Sequence, residues 1–576
     1  MAELKTCKQC GEQFTVADDD LAFLEKISPE VGGQKYLISA PTFCPVCREI
    51  KRMLLRNERV IYKRKSDYSG EELTSIFAPD KTDYKIFSPT EWYSDAWNPF
   101  EFGRDFDPSR SFFEQFNELI HDVPRPANNL ISVENCDFCN QVWHSKNCYL
   151  CFNAIDSENC MYCSETHHAK NCLDCFDTQN CELCYGCYNC AKCYNSRYLE
   201  YCKECSESYF LYDCSSCKNV MMSNAQHNKQ YVFRNQQLTK EEYESKIKEY
   251  DFGKRSVIEE LKKEFSELKS LAIHKYANIL NSENCTGDDL IDCKNCENCF
   301  NMLKGENCKN IISTEDKALE SREICFTAHP ELCYEGAMMV GFKHAFGMMV
   351  IEGSGIYYSQ FCENCKDCFG CVGLRQKQYC AFNKQYSKEQ YEELVPKIIE
   401  HMQKTGEWGE YFPAEISPYG YNETVAQLYH PKSKEEAIAI GAKWQDNDYS
   451  LKFDGAFYEP EDDIKKYDDE NEEGERKALL SGVLKCEVSA KPFKILPNEL
   501  AFYIENNIPV PTKHSEVRYM ELFNMRNPHV LHRRQCMCEE TGHGHDGRCK
   551  EEFETTFEPK RPVKVYCNTC YYKSLK

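Results

Sequence analysis

The stretch SKNCYLCFNAIDSENCMYCSETHHAKNCLDC, residues 145–175, decides the fold of most of this chain. A pair of cysteines separated by two residues begins at Cys148 and returns at Cys160 and Cys172, a period of twelve. A repeat this short is typical of a solenoid. Twelve residues are too few for a helical hairpin and enough for one coil of a β-helix, whose coils stack ~4.8 Å apart. The pattern therefore predicts ladders of cysteine, and a parallel ladder of the asparagines before them: Asn147, Asn159 and Asn171.

The repeated block occurs twice. The twelve-residue rhythm shifts by six residues before Cys190 and then resumes. The string Lys-Gln-Tyr at 229–231 returns at 377–379, an offset of 148. We therefore predict a first solenoid over 126–238 and a second, less regular one over 276–386.

Each solenoid is followed by a helix signal. Thr239 with Glu242, and Ser387 with Gln390, form capping-box patterns. An uncovered solenoid end exposes unpaired strand edges. We expect one helix to cover the end of each solenoid.

The two ends of the chain are copies of each other. Residues 7–23 match residues 486–502 at an offset of 479, and residues 56–57 match residues 526–527 at an offset of 470. This similarity predicts a duplicated terminal module over residues 1–98 and 486–576.

Each module retains a different set of cysteines. The first has two Cys-x-x-Cys pairs: Cys7, Cys10, Cys44 and Cys47. The second has Cys536, Cys538, Cys549, Cys567 and Cys570. Four thiolates suit a tetrahedral zinc ion, and a knuckle followed by a helix N-terminus is the treble-clef order. We expect about two structural zinc ions per chain.

Three alternatives stay open at these sites. The cysteines could be unrelated buried residues. A catalytic metal is disfavoured because four sulfur ligands leave no open coordination position. Either Cys536 or Cys538 could be the ligand, and His543 or His545 could replace it, although loop histidines are usually ordinary surface residues.

Each module also has a degenerate set of residues, in which cysteines are largely replaced, at the positions where the other module has its cysteine cluster. The first module has Ser66, Ser69, Ser88 and Glu91 where the second has cysteines, and we predict that this set holds no metal because hydroxyls are poor zinc ligands. Packing of aromatic side chains should replace the ion: Phe77, Phe87 and Trp92. The second module has Cys486, Ser489, His514 and Val517 at the other position.

The cysteines of the coils have three possible roles. Free cysteine is small and often buried, so packing is the plainest interpretation. Binding of metal along part of a ladder is the second. Thiol–disulfide chemistry is the third, since neighbouring coils bring Cα atoms within bridging range.

A basic segment follows the first knuckle. Residues 48–65 carry a net charge of +6, in a chain of net charge −23. Treble-clef proteins often present such a helix to nucleic-acid phosphates. The candidate contact residues are Lys51, Arg52, Arg56, Arg59, Lys63, Arg64 and Lys65. The alternative is a helix that pairs with acidic surface elsewhere in the same protein.

Composition excludes several classes of protein. The chain is too long, at 576 residues, for one compact domain. No apolar run is long enough for a membrane span, and the first residues lack the apolar region of a signal peptide. We therefore expect a cytoplasmic protein, where clustered cysteines more often bind metal than form disulfides. We identify no small-molecule substrate and no phosphate-binding glycine loop, nucleophile elbow or HExxH motif.

The chain resembles a family of uncharacterised Cys-rich zinc-ribbon proteins common in candidate-phyla-radiation bacteria. The resemblance runs nearly end to end and rests on FCPVCREIKRMLLRNERVIYKRK, FGRDFDPSRSFFEQF, NKQYSKEQYEEL, GEWGEYFP, SPYGYNET, KCEVSAKPFKI and FETTFEPKRPVKVYC. It implies a cytoplasmic zinc-binding protein with a repeat core. Members carry cysteines where this chain has the Ser66, Ser69, Ser88 and Glu91 set.

The sequence thus predicts a mainly β fold with α, in which two Cys-rich short-period β-solenoids are flanked by duplicated treble-clef or zinc-ribbon modules. The expected units are a zinc module (1–98), an aromatic and helical connector (99–125), a solenoid (126–238), a helical segment (239–275), a second solenoid (276–386), a helical connector with an acidic linker (387–485) and a zinc module (486–576). The expected function is a zinc-binding, non-enzymatic scaffold or adaptor with an RNA, ribosomal or protein partner. The alternative is a thiol-rich metal-storage or redox protein.

Overall fold

The computed structural model describes residues 2–314, 318–323, 325–328, 334–340, 344–468 and 474–575. It is mixed α/β, with a β-solenoid of about 19 turns within residues 130–381 and cysteine clusters at both ends of the chain. Parts of the predicted second solenoid and of the acidic linker lie outside the described residues: 315–317, 324, 329–333, 341–343 and 469–473.

The N-terminal module is built of short hairpins and helices. Its elements are β1 (Glu3–Thr6), β2 (Gln13–Val16), α1 (Asp18–Ile27), β3 (Glu30–Val31), β4 (Gln34–Lys35), α2 (Pro45–Met53), β5 (Tyr62–Lys65), β6 (Glu72–Ser75), β7 (Ile86–Phe87) and α3 (Pro89–Tyr93). The connector contains a 3-10 turn (Pro99–Phe102), α4 (Phe112–Asp122) and β8 (Arg125–Pro126).

The first solenoid is one sheet of 11 strands in sequence order. They are β9 (Leu130–Ile131), β10 (Asn140–Trp143), β11 (Phe152–Ile155), β12 (Ser164–His167), β13 (Phe176–Gln179), β14 (Tyr188–Ala191), β15 (Arg197–Glu200), β16 (Tyr209–Tyr212), β17 (Lys218–Asn224), β18 (Gln230–Phe233) and β19 (Gln236–Gln237). Neighbours are parallel up to β18, and β19 turns back antiparallel. The helices α5 (Lys240–Ile247) and α6 (Arg255–Leu271) follow, and Thr239 caps α5 as predicted.

The physical unit of the coil is a triplet of residues. Every third residue has a positive φ close to +50°, as at Leu150, Asn153, Asp156 and Asn159. Four such corners make one coil with four sides. Asparagine and aspartate tolerate this left-handed backbone better than most residues, which explains their frequency at the corners. The residue that follows each corner points into the coil.

The triplet explains the six-residue shift in the cysteine rhythm. Strand pairing keeps the same register across the shift, for example between Tyr188 and Glu200. Six residues are two triplets, so the cysteines move to the other two sides of the coil and no residue is inserted. The predicted ladder of asparagines is confirmed: the Asn147 amide donates to Asn159 at 3.0 Å, and Asn159 to Asn171 at 3.1 Å.

The cysteines of the coils are buried thiols. The Cys160 Sγ lies 3.4 Å from the carbonyl oxygen of Glu158 and 3.7 Å from that of Ala169, and the other inward cysteines repeat this geometry. Ser157 donates to carbonyl oxygens in the same way. The cysteines whose side chains the structure describes are free of disulfides. The cysteines share this interior with apolar residues such as Val142 and Ala154, and their thiols lie against carbonyl oxygens, which favours the packing interpretation.

The second solenoid is less regular, as predicted. β20 (Ile273–Lys275) leads into it. Its own strands are β21 (Ile279–Leu280), β22 (Gly287–Ile291), β23 (Cys299–Leu303), β24 (Ile312–Thr314), β25 (Cys325–Ala328), β26 (Ala337–Val340), β27 (His344–Ala345), β28 (Ile351–Tyr357), β29 (Glu363–Phe369), β30 (Gln378–Ala381) and β31 (Lys384–Gln385). Ile279 pairs with Leu290, one residue short of the regular spacing, whereas Ile312 pairs with Cys325, one residue beyond it. Ser387 caps the covering helix α7 (Lys388–Thr405) as expected.

The remaining chain forms a helical connector and the C-terminal module. The elements are α8 (Val425–Tyr429), α9 (Lys434–Ala439), α10 (Glu475–Ser481), β32 (Leu484–Lys485), β33 (Pro492–Phe493), α11 (Pro497–Glu505), α12 (Ser515–Phe523), β34 (His532–Gln535), β35 (Glu552–Thr555), β36 (Lys564–Tyr566) and α13 (Asn568–Ser574), with 3-10 turns at Ala414–Ile416, Tyr421–Glu423 and Ile464–Tyr467.

The duplication of the terminal modules is visible in the structure. Both modules run hairpin, helix, helix, hairpin, strand and helix, and the first adds the small hairpin β3–β4. Adding 470 to the limits of α2 (45–53) gives those of α12 (515–523), and adding 470 to β5 (62–65) gives β34 (532–535).

Each module joins the strand that leads into one solenoid. β7 pairs in parallel with β8, just before the first solenoid. β36 pairs in parallel with β20, just before the second, although β36 lies near the far end of the chain. Equivalent hydroxyls reinforce the two junctions: Ser75 donates to the carbonyl of Ala127 at 3.1 Å, and Thr555 to that of Tyr276 at 2.6 Å.

Each module also packs on the other solenoid. Ile50 and Met53 of α2 share a core with Phe300 and Ile312 of the second solenoid. Residues of α12 share a core with the first solenoid: Tyr519, Leu522 and Phe523 against Phe176 and Tyr188. The modules thus cross between the solenoids, and the units predicted from the sequence share their cores.

Candidate metal centres and the surfaces around them

The first cysteine cluster lies between the β1–β2 hairpin and the N-terminus of α2. The Sγ atoms of Cys7, Cys10, Cys44 and Cys47 all lie within 4.8 Å of one another. The Sγ atoms of Cys10 and Cys44 are 3.7 Å apart. A sulfur tetrahedron around an ion at ~2.3 Å has edges of ~3.8 Å. The cluster could therefore hold one metal ion with four sulfur ligands.

Local backbone structure positions the side chains of these four cysteines. Gly11 has φ +77°, as the knuckle turn requires, and its N–H donates to the carbonyl of Cys7 at 3.0 Å. Cys44 is the N-cap of α2 and Pro45 its first residue. Burial alone would raise the pKa of the Cys7 thiol, but backbone N–H groups of Cys10, Cys44 and Gln9 lower that pKa to about 6. The site thus favours a thiolate at this position.

The second cluster comprises Cys536, Cys549, Cys567 and Cys570. All four are buried, and their Sγ atoms lie within 4.8 Å of one another. Cys567 is the N-cap of α13, as Cys44 is the N-cap of α2. Burial raises the pKa of the Cys536 thiol to about 11, although the backbone N–H groups of Cys567 and Cys538 oppose the rise. The sequence left Cys536 and Cys538 undecided; the structure groups Cys536 with the other three, and Cys538 lies beside His543 and His545.

Hydrogen bonds occupy the degenerate set of the first module. Its members correspond to those of the second cluster: Ser66 to Cys536, Ser69 to Cys549, Ser88 to Cys567 and Glu91 to Cys570. The Glu91 carboxylate accepts from the Ser66 hydroxyl at 2.6 Å and from the Ser88 N–H at 2.7 Å. Burial alone would raise the pKa of Glu91, but the hydrogen bonds from Ser66, Ser69 and Ser88 lower it to about 2. The aromatic side chains expected here are buried: Phe77, Phe87 and Trp92.

Replacing this set with cysteine should create a metal centre. The variant Ser66→Cys, Ser69→Cys, Ser88→Cys, Glu91→Cys places thiols on the backbone equivalent to the second cluster, and we expect about one additional zinc ion per chain by elemental analysis. The double variant Ser66→Cys, Ser69→Cys is the control, because two thiols should not retain an ion through gel filtration. Equal zinc content in the wild type and the quadruple variant would contradict this prediction.

The basic segment is not one continuous helix. α2 ends at Met53, a loop follows, and residues 62–65 form β5. The expectation of a single basic helix through residue 65 is therefore wrong, because Asn57 closes the loop by bonding to the carbonyls of Val60 and Ile76.

Two arginines of α2 are buried against the second solenoid. Arg48 reaches Glu323 at 3.1 Å and Glu335 at 3.3 Å. Arg52 reaches the same two carboxylates at 3.2 Å and 3.9 Å, and its side chain is 1% exposed. Burial opposes ionisation of Glu323, yet Arg48, Arg52 and the Asn310 amide lower its pKa. Burial raises the pKa of Glu335, and the nearby carboxylates of Glu323 and Glu410 add to the rise, although Arg48 and Arg52 lower it.

The C-terminal module repeats this contact on the first solenoid. Arg518 is equivalent to Arg48, since 48 + 470 = 518. It lies 3.3 Å from Asp174 and 3.7 Å from Glu499. Both modules therefore insert a buried arginine against a corner carboxylate of the opposite solenoid.

The other candidate contact residues are divided between intramolecular contacts and solvent. Arg56 pairs with Glu58, and the Arg59 guanidinium lies 3.4 Å from the ring centroid of Tyr519 on α12. Among the remaining candidate contact residues, Lys51 lies over the Phe43 ring and Arg64 pairs with Asp67. Lys63 and Lys65 are exposed. This arrangement favours the interpretation in which the segment is neutralised within the chain.

Sequence reasoning missed a cavity between the two solenoids. It has a volume of about 390 Å³ and is lined by corner residues of both solenoids: Glu165, Asp177, Asn189, Tyr201 and Asp213 from the first, and Asp289, Asn301 and Ser313 from the second. The sequence signal for this cavity was the regular twelve-residue spacing of these corner residues within each solenoid. Burial, with the nearby Asp177 carboxylate, raises the pKa of Glu165 to about 8, and burial raises that of Asp177 to about 6.

The comparisons with known proteins identify no relative of this chain. A scan against protein-family models finds no match for the chain, and a search of curated proteins finds no significant similarity. Within the part of the chain that the structure describes, no helix is both long and apolar enough to cross a lipid bilayer.

Proposed function

We propose that the chain is a zinc-binding, non-enzymatic scaffold protein whose two metal centres hold the terminal modules across a pair of solenoids. The observation that carries this proposal is the position of each four-cysteine cluster at the root of a helix that contacts a solenoid. Cys44 and Cys47 start α2, whose arginines bind Glu323 and Glu335. Cys567 starts α13, whose Tyr571 hydroxyl donates to Asp213.

The donor set supports zinc as the ion. Four sulfurs in a tetrahedron are typical of zinc or iron–sulfur centres, and zinc is the usual ion for paired Cys-x-x-Cys knuckles. Four protein ligands complete the coordination shell, so the ion offers no position to a substrate. A structural role follows, in which metal binding is coupled to folding of the module.

The partner remains an RNA, a ribosomal surface or a protein. Lys63 and Lys65 on β5 are the exposed members of the basic segment, so any polyanion contact would start there. Free thiols throughout the described coils fit a reducing compartment such as the cytoplasm.

The rival function, a thiol-rich metal store or redox protein, needs accessible sulfur. Apart from Cys136 and Cys285, which are partly exposed, the inward cysteines whose side chains are described are almost fully buried, and their thiols lie against carbonyl oxygens. In the described residues, groups of three or more metal-ligand atoms within 4.8 Å occur at the two terminal modules and not in the coils. Both observations favour the scaffold.

Elemental analysis combined with metal removal tests the proposal. We expect at least about two zinc ions per chain and little copper or iron. Strong chelation should raise amide hydrogen exchange in α2 and α13, while the central coils keep their protection because their hydrogen bonds need no ion. Many copper or iron ions per chain, or unchanged exchange in both helices after zinc loss, would overturn the scaffold function.

A further inference from the structure

A second group of ligand atoms adjoins the C-terminal cluster. Cys538, His543, His545 and Cys570 offer four donor atoms within 4.8 Å of one another. The Cys538 Sγ is 3.2 Å from His543 Nδ1, and the Cys570 Sγ is 3.4 Å from His545 Nε2. Cys570 belongs to this group and to the four-cysteine cluster.

We propose that the C-terminal module binds two zinc ions that share Cys570 as a bridging thiolate. This proposal rests on the zinc-binding function proposed above and extends it. One ion takes Cys536, Cys549, Cys567 and Cys570. The other takes two thiolates and two imidazoles, a donor set common in structural zinc sites: Cys538, His543, His545 and Cys570.

The hydrogen bonds of the two histidines prepare them as ligands. Metal-binding histidines usually donate their other ring N–H to a carboxylate or a backbone carbonyl. His545 Nδ1 lies 2.7 Å from the carbonyl of Gly547, which leaves Nε2 facing Cys570. His543 Nε2 lies 3.5 Å from the Glu540 carboxylate, which leaves Nδ1 facing Cys538. Each histidine therefore presents a lone pair to the cluster, His543 through Nδ1 and His545 through Nε2, because the other ring nitrogen is held by its hydrogen-bond partner.

The loop that carries the histidines is anchored to the segment that carries Cys567 and Cys570. Gly542, Gly544 and Gly547 all have φ between +65° and +89°, and these turns fold the loop back. The His543 carbonyl accepts from Lys573 on α13, the helix of Cys570, at 2.7 Å. The Glu540 carboxylate accepts from the Tyr566 hydroxyl at 3.0 Å, one residue before Cys567.

Charge also favours a second ion. Four thiolates around one Zn²⁺ carry a net charge of 2 − 4 = −2. Five thiolates, two neutral imidazoles and two Zn²⁺ carry 4 − 5 = −1, so the second ion reduces the uncompensated charge in a buried site. The sequence suggested His543 or His545 only as a replacement for one cysteine ligand, because histidines in a glycine-rich loop are ordinarily exposed.

Metal content of the full chain tests the bridged pair. We expect about three zinc ions per wild-type chain and about two in the double variant His543→Ala, His545→Ala. The control His532→Ala removes another histidine of the same module, on β34, and should keep about three. His545→Cys retains a ligand and should also keep about three, which separates lost coordination from a misfolded loop.

Substitution with ¹¹³Cd provides a second readout. A shared Cys570 should give scalar coupling between the two C-terminal cadmium resonances, and that coupling should vanish in the double histidine variant. About two ions in the wild type and one in Cys7→Ser would overturn the bridged pair and leave the scaffold function standing. Absence of zinc from both four-cysteine clusters would instead overturn the scaffold function itself.

Discussion

Cys7→Ser is expected to remove about one zinc ion per chain and to release the N-terminal module from the second solenoid. The core of the knuckle is small: Phe14 and Val16 pack against Cys7, Cys44 and Cys47. A module with so few apolar contacts depends on its ion. Structural zinc contributes ~10–16 kcal/mol of apparent binding free energy in small zinc domains, and whole proteins are stable by only ~5–15 kcal/mol.

The loss of structure that follows removal of the ion should extend along α2. Because Cys44 caps this helix and Cys47 lies in its first turn, loss of the ion loosens the turn that positions Arg48 and Arg52 against Glu323 and Glu335. Hydrogen exchange should therefore rise in α2 as well as in the knuckle. Elemental analysis and exchange measured on the same preparation would show both effects.

The chain supplies a matched control in Cys486→Ser. Cys486 is the equivalent of Cys7, since 7 + 479 = 486, and it is buried, but its module lacks the other three cysteines of that set. This variant should keep its full zinc content. If Cys7→Ser and Cys486→Ser retain the same zinc, the first cluster is not a metal centre.

Arg52→Gln is expected to destabilise the chain by ~3–5 kcal/mol, the usual cost of breaking a buried ion pair from one side. Arg52 and Arg48 together neutralise Glu323 and Glu335. A glutamine leaves two buried carboxylates with one guanidinium group. The unfolding midpoint in urea should fall, and the fall should change little between low and high salt because buried pairs are weakly screened.

Lys65→Gln provides the comparison within the same basic segment. Lys65 is exposed on β5, and surface substitutions of this kind usually change stability by no more than ~0.5 kcal/mol. If Arg52→Gln unfolds at the same urea concentration as Lys65→Gln, the pairing with the second solenoid does not form. The same two variants also test nucleic-acid binding. A loss of binding in Lys65→Gln would identify a contact surface, whereas a loss of binding in Arg52→Gln would also reflect the destabilised fold.

Much of the architecture was predictable because its causes are local. A coil of four triplets must repeat at every twelfth position, so its cysteines and Asn147, Asn159 and Asn171 show the period directly. Equal spacing in two copies of one module likewise gives equal helices, as α2 and α12 demonstrate. The first four-cysteine set could be predicted because each Cys-x-x-Cys pair brings two sulfurs together within one turn, the first in a knuckle and the second at the N-terminus of α2.

The sequence alone therefore determined the repeat, the duplicated modules and the residues of the first cluster, since each depends on spacing within a short stretch of chain. The tertiary structure decided which charges remain free. Arg52 meets Glu323 although the whole first solenoid lies between them in sequence, and no local pattern specifies that contact. It also decided that Cys536 joins the four-cysteine cluster, while Cys538 faces the histidines, because the loop and α13 converge only in the fold. Contacts whose partners lie far apart in sequence depend on how the solenoids and modules pack, and that packing is set by the whole chain.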